Sequence, residues 1–273
     1  MAQVENAPPS IALKLVFCGP FGAGKTSNLH QLFARLTDRY RSRMLSLDLP
    51  DTADEEILYH ASPIDIGHRP TMFYDLLPIV ISVAGVRVIL RLVAGPGHIM
   101  HDHTRRLVLR GADGLVFIAD TQRTLDENEH VLAAVRTNLR DNGLAPDTLP
   151  MVVQLNKRDL PEVRTDAAAA QRLRGQRADV AVVPAVARAG VGVVETLLRL
   201  LAVTWPSLVH EHESLAASDI ELPGLLLELG RSLNAVEIAR NLLEGPAASG
   251  TPSSGRRSPA PEAAATTTGV VRS

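Results

Sequence analysis

The chain has 273 residues, 45% of them hydrophobic and 21% charged, which is enough apolar content for one large core without disulfide or metal staples. Twenty-eight Lys and Arg against thirty Asp and Glu leave a formal charge of -2, so no global field gathers nucleic acid or an anionic membrane, and any phosphate must be bound locally. The single cysteine, Cys18, excludes an intramolecular disulfide, and with no basic-plus-apolar leader the expected compartment is the cytoplasm.

Residues 1–10 read as a flexible N-terminus. Ile11, Leu13, Leu15, Val16 and Phe17 then read as a strand buried on both faces. A glycine-rich turn follows, after which Leu29, Leu32, Phe33 and Leu36 recur at helical spacing up to about Tyr40. From Ser42 to Tyr74 no period holds, and Pro50, Pro63, Gly67 and Pro70 punctuate a stretch long enough to be a functional loop. The β-branched runs Ile79 to Val83 and Val86 to Val93, separated by Ala84-Gly85, predict an antiparallel hairpin. Arg87 and Arg91 break this apolar region well short of the roughly 20 residues that a bilayer-spanning helix needs, so no membrane span or membrane anchor is expected.

Beyond the hairpin, strands and helices alternate. The predicted strands are Gly114 to Ala119, Met151 to Leu155 and Val180 to Val183. The predicted helices are His103 to Arg110, Asp126 to Asn142, Thr165 to Arg174 and Val191 to Thr204. Such alternation implies an α/β sheet with helices on both faces. After Trp205-Pro206 an apolar face of Leu222, Leu225, Leu226, Leu229, Leu233 and Val236 predicts an appended helical pair, with Asn234 and Glu237 as a capping pair for the last helix. From Gly245 to Ser273, 23 of 29 residues are Gly, Pro, Ala, Ser or Thr, too little apolar area to offset chain entropy, so a disordered tail is expected. The expected division is therefore 1–10, 11–206, 207–244 and 245–273.

Gly19-Pro20-Phe21-Gly22-Ala23-Gly24-Lys25-Thr26 matches GxxxxGK[ST] between a buried strand and an amphipathic helix, the context a P-loop requires. Gly19, Gly22, Ala23, Gly24 and Ser27 would cradle a polyphosphate with backbone N–H groups at a helix N-terminus. Lys25 would add a full charge at the β and γ phosphates, and Thr26 would ligate Mg²⁺. Asn156-Lys157-Arg158-Asp159 follows the strand Met151 to Leu155. The Asp159 carboxylate can accept from both guanine N1–H and N2–H, whereas adenine would leave that charge unpaired and be rejected by a factor of ~10⁴. Asn156 would fix the loop and meet the purine edge, and the stem of Lys157 would cover one ring face.

These motifs resemble those of Ras-like small GTPases. Three stretches look specifically like the bacterial gliding-motility (MglA-like) branch: Thr71 to Pro78, Pro96-Gly97 leading to Arg105 to Gly114, and Gly190 to Leu197. The resemblance covers about Ile11 to Trp205. It implies an α/β P-loop NTPase fold with a Ras-like, mostly parallel six-stranded sheet, GTP and GDP as ligands with Mg²⁺, slow hydrolysis, and two switch segments. On this resemblance Thr71 belongs to switch I and meets both Mg²⁺ and the γ phosphate. Gly97 belongs to switch II, His98 positions the attacking water, and the Ala187 backbone N–H contacts the guanine. The resemblance also implies protein effectors and a Roadblock-fold GTPase-activating partner.

Several positions depart from the family's patterns: His98 stands where Ras-like proteins usually have Gln, and Val186 stands in the place of the serine of the guanine-contacting Ser-Ala-Lys. Ala94 stands where an Asp usually serves the magnesium, and Arg69 stands one residue before the place, Pro70, of the gliding branch's catalytic arginine. The expected function is a partner-stimulated GTPase switch for polarity or motility, and the alternative is a GTP-binding scaffold that does not hydrolyse. A P-loop kinase is disfavoured by Asn156 and Asp159.

Overall fold

The computed structural model describes residues 9–40, 42–49, 72–95, 102–211, 215 and 218–245. Seven strands form one sheet: β1 (Ser10–Cys18), β2 (Leu45–Leu49), β3 (Met72–Val83), β4 (Val86–Ala94), β5 (Gly114–Asp120), β6 (Met151–Asn156) and β7 (Ala181–Pro184), in the order β2-β3-β4-β1-β5-β6-β7. The five strands from β4 to β7 are parallel, and β2 and β3 pair antiparallel at one edge. This is the expected mostly parallel α/β sheet with seven strands instead of six. The additional strand, β2, lies in the stretch read as aperiodic. Its Leu-Ser-Leu-Asp-Leu alternation spans five residues, too few to stand out, and it is completed by pairing with Met72 to Leu76 on β3. For the same reason β3 begins at Met72 rather than Ile79.

Seven helices accompany the sheet among the described residues: α1 (Lys25–Arg35), α2 (Asp102–Leu109), α3 (Leu125–Asp141), α4 (Ala167–Arg174), α5 (Val193–Glu211), α6 (Leu222–Ser232) and α7 (Val236–Glu244). Side chains alternate across each strand, so the sheet divides the apolar residues into two cores. On one face Leu13, Leu15 and Phe17 of β1 pack with Leu29 and Leu32 of α1, Leu197 and Leu201 of α5, and Leu225 and Leu229 of α6. On the other, Val16 of β1 and Phe117 of β5 pack with Val108 of α2, Leu132 and Val135 of α3, and Leu173 of α4. Every residue of β5 is buried, which fits a central parallel strand covered on both faces.

Local signals set the ends of several helices. Thr124 and Glu127 form a reciprocal capping box at the start of α3, and Asp166 caps α4. The predicted Asn234–Glu237 cap does not form. Asn234 instead takes the left-handed conformation (φ 50°) just past α6, and Ala235 precedes α7 without a side-chain cap. Helix α5 runs through Pro206, past the expected boundary. A mid-helix proline costs about 3 kcal/mol, yet burial of Leu200, Leu201 and Leu208 on both sides of it outweighs that at about 2 kcal/mol per leucine. By length and composition α5 would also suit a bilayer span, but here Val193, Val194, Leu197 and Leu198 are in the core. Leu215, Ile220 and the inner faces of α6 and α7 join that same core. Residues 1–8 and 246–273 lie outside the described residues.

Candidate functional site

The carboxyl ends of β1, β5 and β6 meet at one rim of the sheet, the usual ligand edge of an open parallel α/β sheet. β1 ends at Cys18 and delivers the glycine loop there. At Gly19 (φ 146°) a Cβ would stand 2.2 Å from the Ile118 carbonyl oxygen of β5, so only glycine lets the loop leave the strand flush against its neighbour. Gly24 (φ 100°) caps α1 without a side chain, and a Cβ there would stand 2.3 Å from Asn156 Nδ2. The first turn of α1 therefore opens onto the cleft with its N–H groups and its positive dipole end.

Lys25 is buried beneath this loop, and its Nζ donates to the carbonyl oxygens of Gly19 (3.1 Å) and Pro20 (2.7 Å). Burial lowers its pKa to about 8, and the Arg105 and Arg123 guanidiniums push in the same direction. A cation held this way is poised to gain an anionic partner. Burial pushes the thiol of neighbouring Cys18 up to about 12, so this cysteine behaves as a small apolar residue. The buried amides of Asn28 and Gln154 bond each other (2.9 Å in both directions). Gln154 also donates to Thr196 Oγ1 (2.9 Å), which ties α1 to β6 and α5 behind the loop.

The base motif meets the loop directly. Asn156 Nδ2 donates to the Ala23 carbonyl oxygen (2.7 Å) and Asn156 Oδ1 accepts from the Ala187 N–H (2.8 Å), so one side chain joins the phosphate loop to the turn Ala187–Ala189. Lys157, in a left-handed conformation (φ 68°), places Nζ 2.7 Å from Asp120 Oδ2 at the end of β5. Asp159 Oδ2 lies 2.6 Å from Arg188 Nη2. Gly22, Gly24, Ser27, Asn156, Lys157, Asp159 and Ala187 line a single cleft of about 190 Å³. The mutual gliding-motility protein MglA of Myxococcus xanthus (strain DK1622) is 30% identical over 199 residues, which is 72% of this chain and 92% of that protein. The chain belongs to the MglA family of Ras-like small GTPases. No family model matches it.

In this MglA-family chain Gly19, Gly22, Ala23, Gly24, Lys25, Thr26, Ser27, Asn156, Lys157, Asp159 and Ala187 surround one rim. Arg69, Thr71, Gly97 and His98 lie outside the described residues, as do residues 50–71 of the aperiodic stretch. One residue that sequence reasoning missed is Asp75. Thr26 Oγ1 donates to Asp75 Oδ2 at 2.7 Å, and in the β3–β4 ladder Asp75 is paired directly with Ala94, the position where the usual aspartate is missing. Directly opposed residues of an antiparallel pair project to the same face about 5 Å apart, so a carboxylate returns to nearly the same place from the adjacent strand. Sheet register alone carries that signal.

A hydroxyl and a carboxylate form an all-oxygen set, which suits Mg²⁺ held by one or two protein oxygens and nucleotide phosphates. Among the described residues no group of three or more His, Cys, Asp or Glu side chains gathers as a separate metal site. Arg123 was also missed. Its Nη2 lies 3.4 Å from the Phe21 carbonyl oxygen at the crest of the loop, and its Nε lies 3.7 Å from Asp120 Oδ2. Asp120 thus links the loop crest to Lys157.

Proposed function

We propose that the chain is a molecular switch that binds GTP and hydrolyses it slowly to GDP and phosphate, with stimulation by a partner. The observation that supports this reading most is the Asn156 bridge between Ala23 of the glycine loop and Ala187, in a cleft that the Asp159 side chain also lines. The N–H groups of the loop and of the start of α1 would bind the polyphosphate. Lys25 would leave the carbonyl oxygens of Gly19 and Pro20 for the β and γ phosphates and hold their developing charge in the transition state. Asp159 would select guanine, Ala187 would donate to it, and the stem of Lys157 would cover its face.

Thr26, Asp75 and Thr71 would hold Mg²⁺, which when bound neutralises charge between the β and γ phosphates. In this reading Asp75 takes the role that Ala94 cannot fill. His98 would orient the attacking water, Gly97 would bond the γ phosphate, and Arg69 would face the transition-state charge. Segments around Thr71 and Gly97 would relax when the γ phosphate leaves, and that change is what effectors read. A Roadblock-fold activator, a role in polarity or motility and a cytoplasmic location belong to the same proposal. Family membership supports the first two and the buried free thiol of Cys18 supports the third.

Binding constants for GTP, GDP and ATP in Mg²⁺, followed by single-turnover release of labelled phosphate, test it. Guanine nucleotides should bind about 10⁴-fold more tightly than ATP. Asp159→Asn should abolish that preference and His98→Ala should slow phosphate release. Equal binding of ATP and GTP refutes the site assignment, and no release with any partner refutes hydrolysis.

A further inference from the structure

The carboxylate assigned to the guanine edge has a cationic neighbour. Asp159 Oδ2 lies 2.6 Å from Arg188 Nη2, with the Asp159 side chain 21% exposed and that of Arg188 74% exposed. Both residues line the same cleft as Gly22 and Gly24 of the glycine loop. An ionised carboxylate accepts through two oxygens, and guanine N1–H and N2–H would take both along one edge. A guanidinium offers the same planar pair of N–H donors with a full charge added. Arg188 and guanine therefore compete for one acceptor edge.

Hydrogen bonds fix the backbone at both ends of this pair. Ala187 N–H donates to Asn156 Oδ1 (2.8 Å), and the Arg188 carbonyl oxygen accepts from Gln31 Nε2 of α1 (3.0 Å). The turn Ala187–Ala189 is closed by bonds from Ala189 N–H to the Val186 carbonyl oxygen (2.9 Å) and from Gly190 N–H to the Ala187 carbonyl oxygen (3.0 Å). Gly190 leaves that turn at φ 72°, where a Cβ would stand 2.8 Å from Gln31 Oε1. On the other side, Arg158 N–H donates to the Ala185 carbonyl oxygen just past β7 (3.2 Å), and Leu160 N–H donates to that of Lys157 (3.2 Å). What is left to yield is the Arg188 side chain, most of which is in solvent.

We propose that Arg188 is a specificity-determining residue of this site, which moderates the preference for guanine by competing for the Asp159 carboxylate. This rests on the GTP-switch reading and names what tunes its choice of base. Guanine has to displace the guanidinium or share Asp159 with it, and either weakens its binding. Adenine, with a lone pair at N1, meets a carboxylate whose charge is already paired, so its rejection is milder than an unpaired buried charge would enforce. The pair is charge-assisted but half in solvent, so its loss should change the ratio of the two affinities by about three- to tenfold.

The test measures dissociation constants of fluorescent GDP and fluorescent ADP in Mg²⁺ at low salt, for the full chain as wild type, Arg188→Ala, Arg188→Lys, Asp159→Asn and the double variant Asp159→Asn with Arg188→Ala. Both nucleotides carry the same diphosphate, so the ratio of their affinities cancels the long-range effect of removing one positive charge, and a damaged fold would loosen both together. Arg188→Ala should widen the preference for GDP over ADP by about three- to tenfold, with GDP bound more tightly. Arg188→Lys keeps the charge without the planar fork and should fall between. In the Asp159→Asn background, removing Arg188 should leave the ratio within twofold. A ratio for Arg188→Ala that narrows or stays within twofold of wild type overturns the proposal and leaves the guanine site standing. Equal widening without the Asp159 carboxylate overturns it as well, because Arg188 would then act on something else. A wild type that binds ADP as tightly as GDP, unchanged by Asp159→Asn, refutes the GTP-switch reading and the proposal with it.

Discussion

Replacing Asp75 by Ala tests the displaced carboxylate. The side chain is half-buried, its Oδ2 lies 2.7 Å from Thr26 Oγ1, and its cross-strand partner Ala94 offers no oxygen in its place. A hydrogen bond to an ionised group contributes about 1.5–3 kcal/mol, and the exposure of Thr26 argues for the lower end, which corresponds to about tenfold. The midpoint of Mg²⁺ protection against fluorescent GDP release should therefore move to about tenfold higher Mg²⁺. Ala94→Asp alone sets two carboxylates directly opposite each other, an unfavourable pairing, and should not tighten Mg²⁺. Asp75→Ala combined with Ala94→Asp returns one carboxylate to the same face and should recover most of the lost affinity. A midpoint for Asp75→Ala within twofold of wild type would refute the reasoning, because the Thr26–Asp75 bond would then be irrelevant to the metal.

Gly24→Ala should weaken guanine nucleotide binding by at least about tenfold while leaving the circular dichroism spectrum intact, because a Cβ forced into φ 100° costs about 1–2 kcal/mol and also strikes Asn156. Lys25 makes binding proton-linked. Its pKa of about 8 lies below the ordinary lysine value, so without nucleotide the burial penalty is present below pH 8 and is relieved as pH rises from 8 towards 10.5, where stability should increase. Phosphate beside the ammonium reverses the shift, so calorimetry at pH 8.5 in buffers of different ionisation enthalpy should show proton uptake on binding; none would remove Lys25 from the phosphate site. Leu229→Ala in α6 should destabilise the whole domain by about 2–5 kcal/mol in one cooperative transition, since Leu229 is fully buried in the core that contains β1; a separate early transition would mean that α6 unfolds alone.

What the chain shows in one dimension is what depends on contiguous residues. The phosphate loop, the Asn156 to Asp159 motif and the hairpin about Ala84-Gly85 each lie within a few positions, and each falls where periodicity and turn chemistry put it. What escaped depends on register or on packing. β2 is too short to announce itself before β3 pairs with it. Asn234 has the residue type of a helix start, yet it ends the preceding helix because the left-handed conformation tolerates asparagine as well as the cap does. Pro206 reads as a boundary, but the apolar stripe on both sides of it keeps α5 intact. Asp75 looks like an ordinary polar residue of a strand until the ladder sets it opposite Ala94.

That exchange of strands has a consequence for the switch. A carboxylate at position 94 would end the strand that leads to Gly97, so metal affinity would follow the second switch segment. Asp75 lies on β3 instead, four residues after Thr71 and on the strand that α6 packs against. On the proposed function both Mg²⁺-facing oxygens outside the phosphate loop, Thr71 and Asp75, then belong to one continuous piece of chain. Any sliding or peeling of β3 that withdraws Thr71 also displaces Asp75, so departure of the γ phosphate and weakening of the metal site become a single event. The buried contacts of β3 with α6 would resist that movement, so the core shared with the C-terminal helices would set how readily the two oxygens withdraw together.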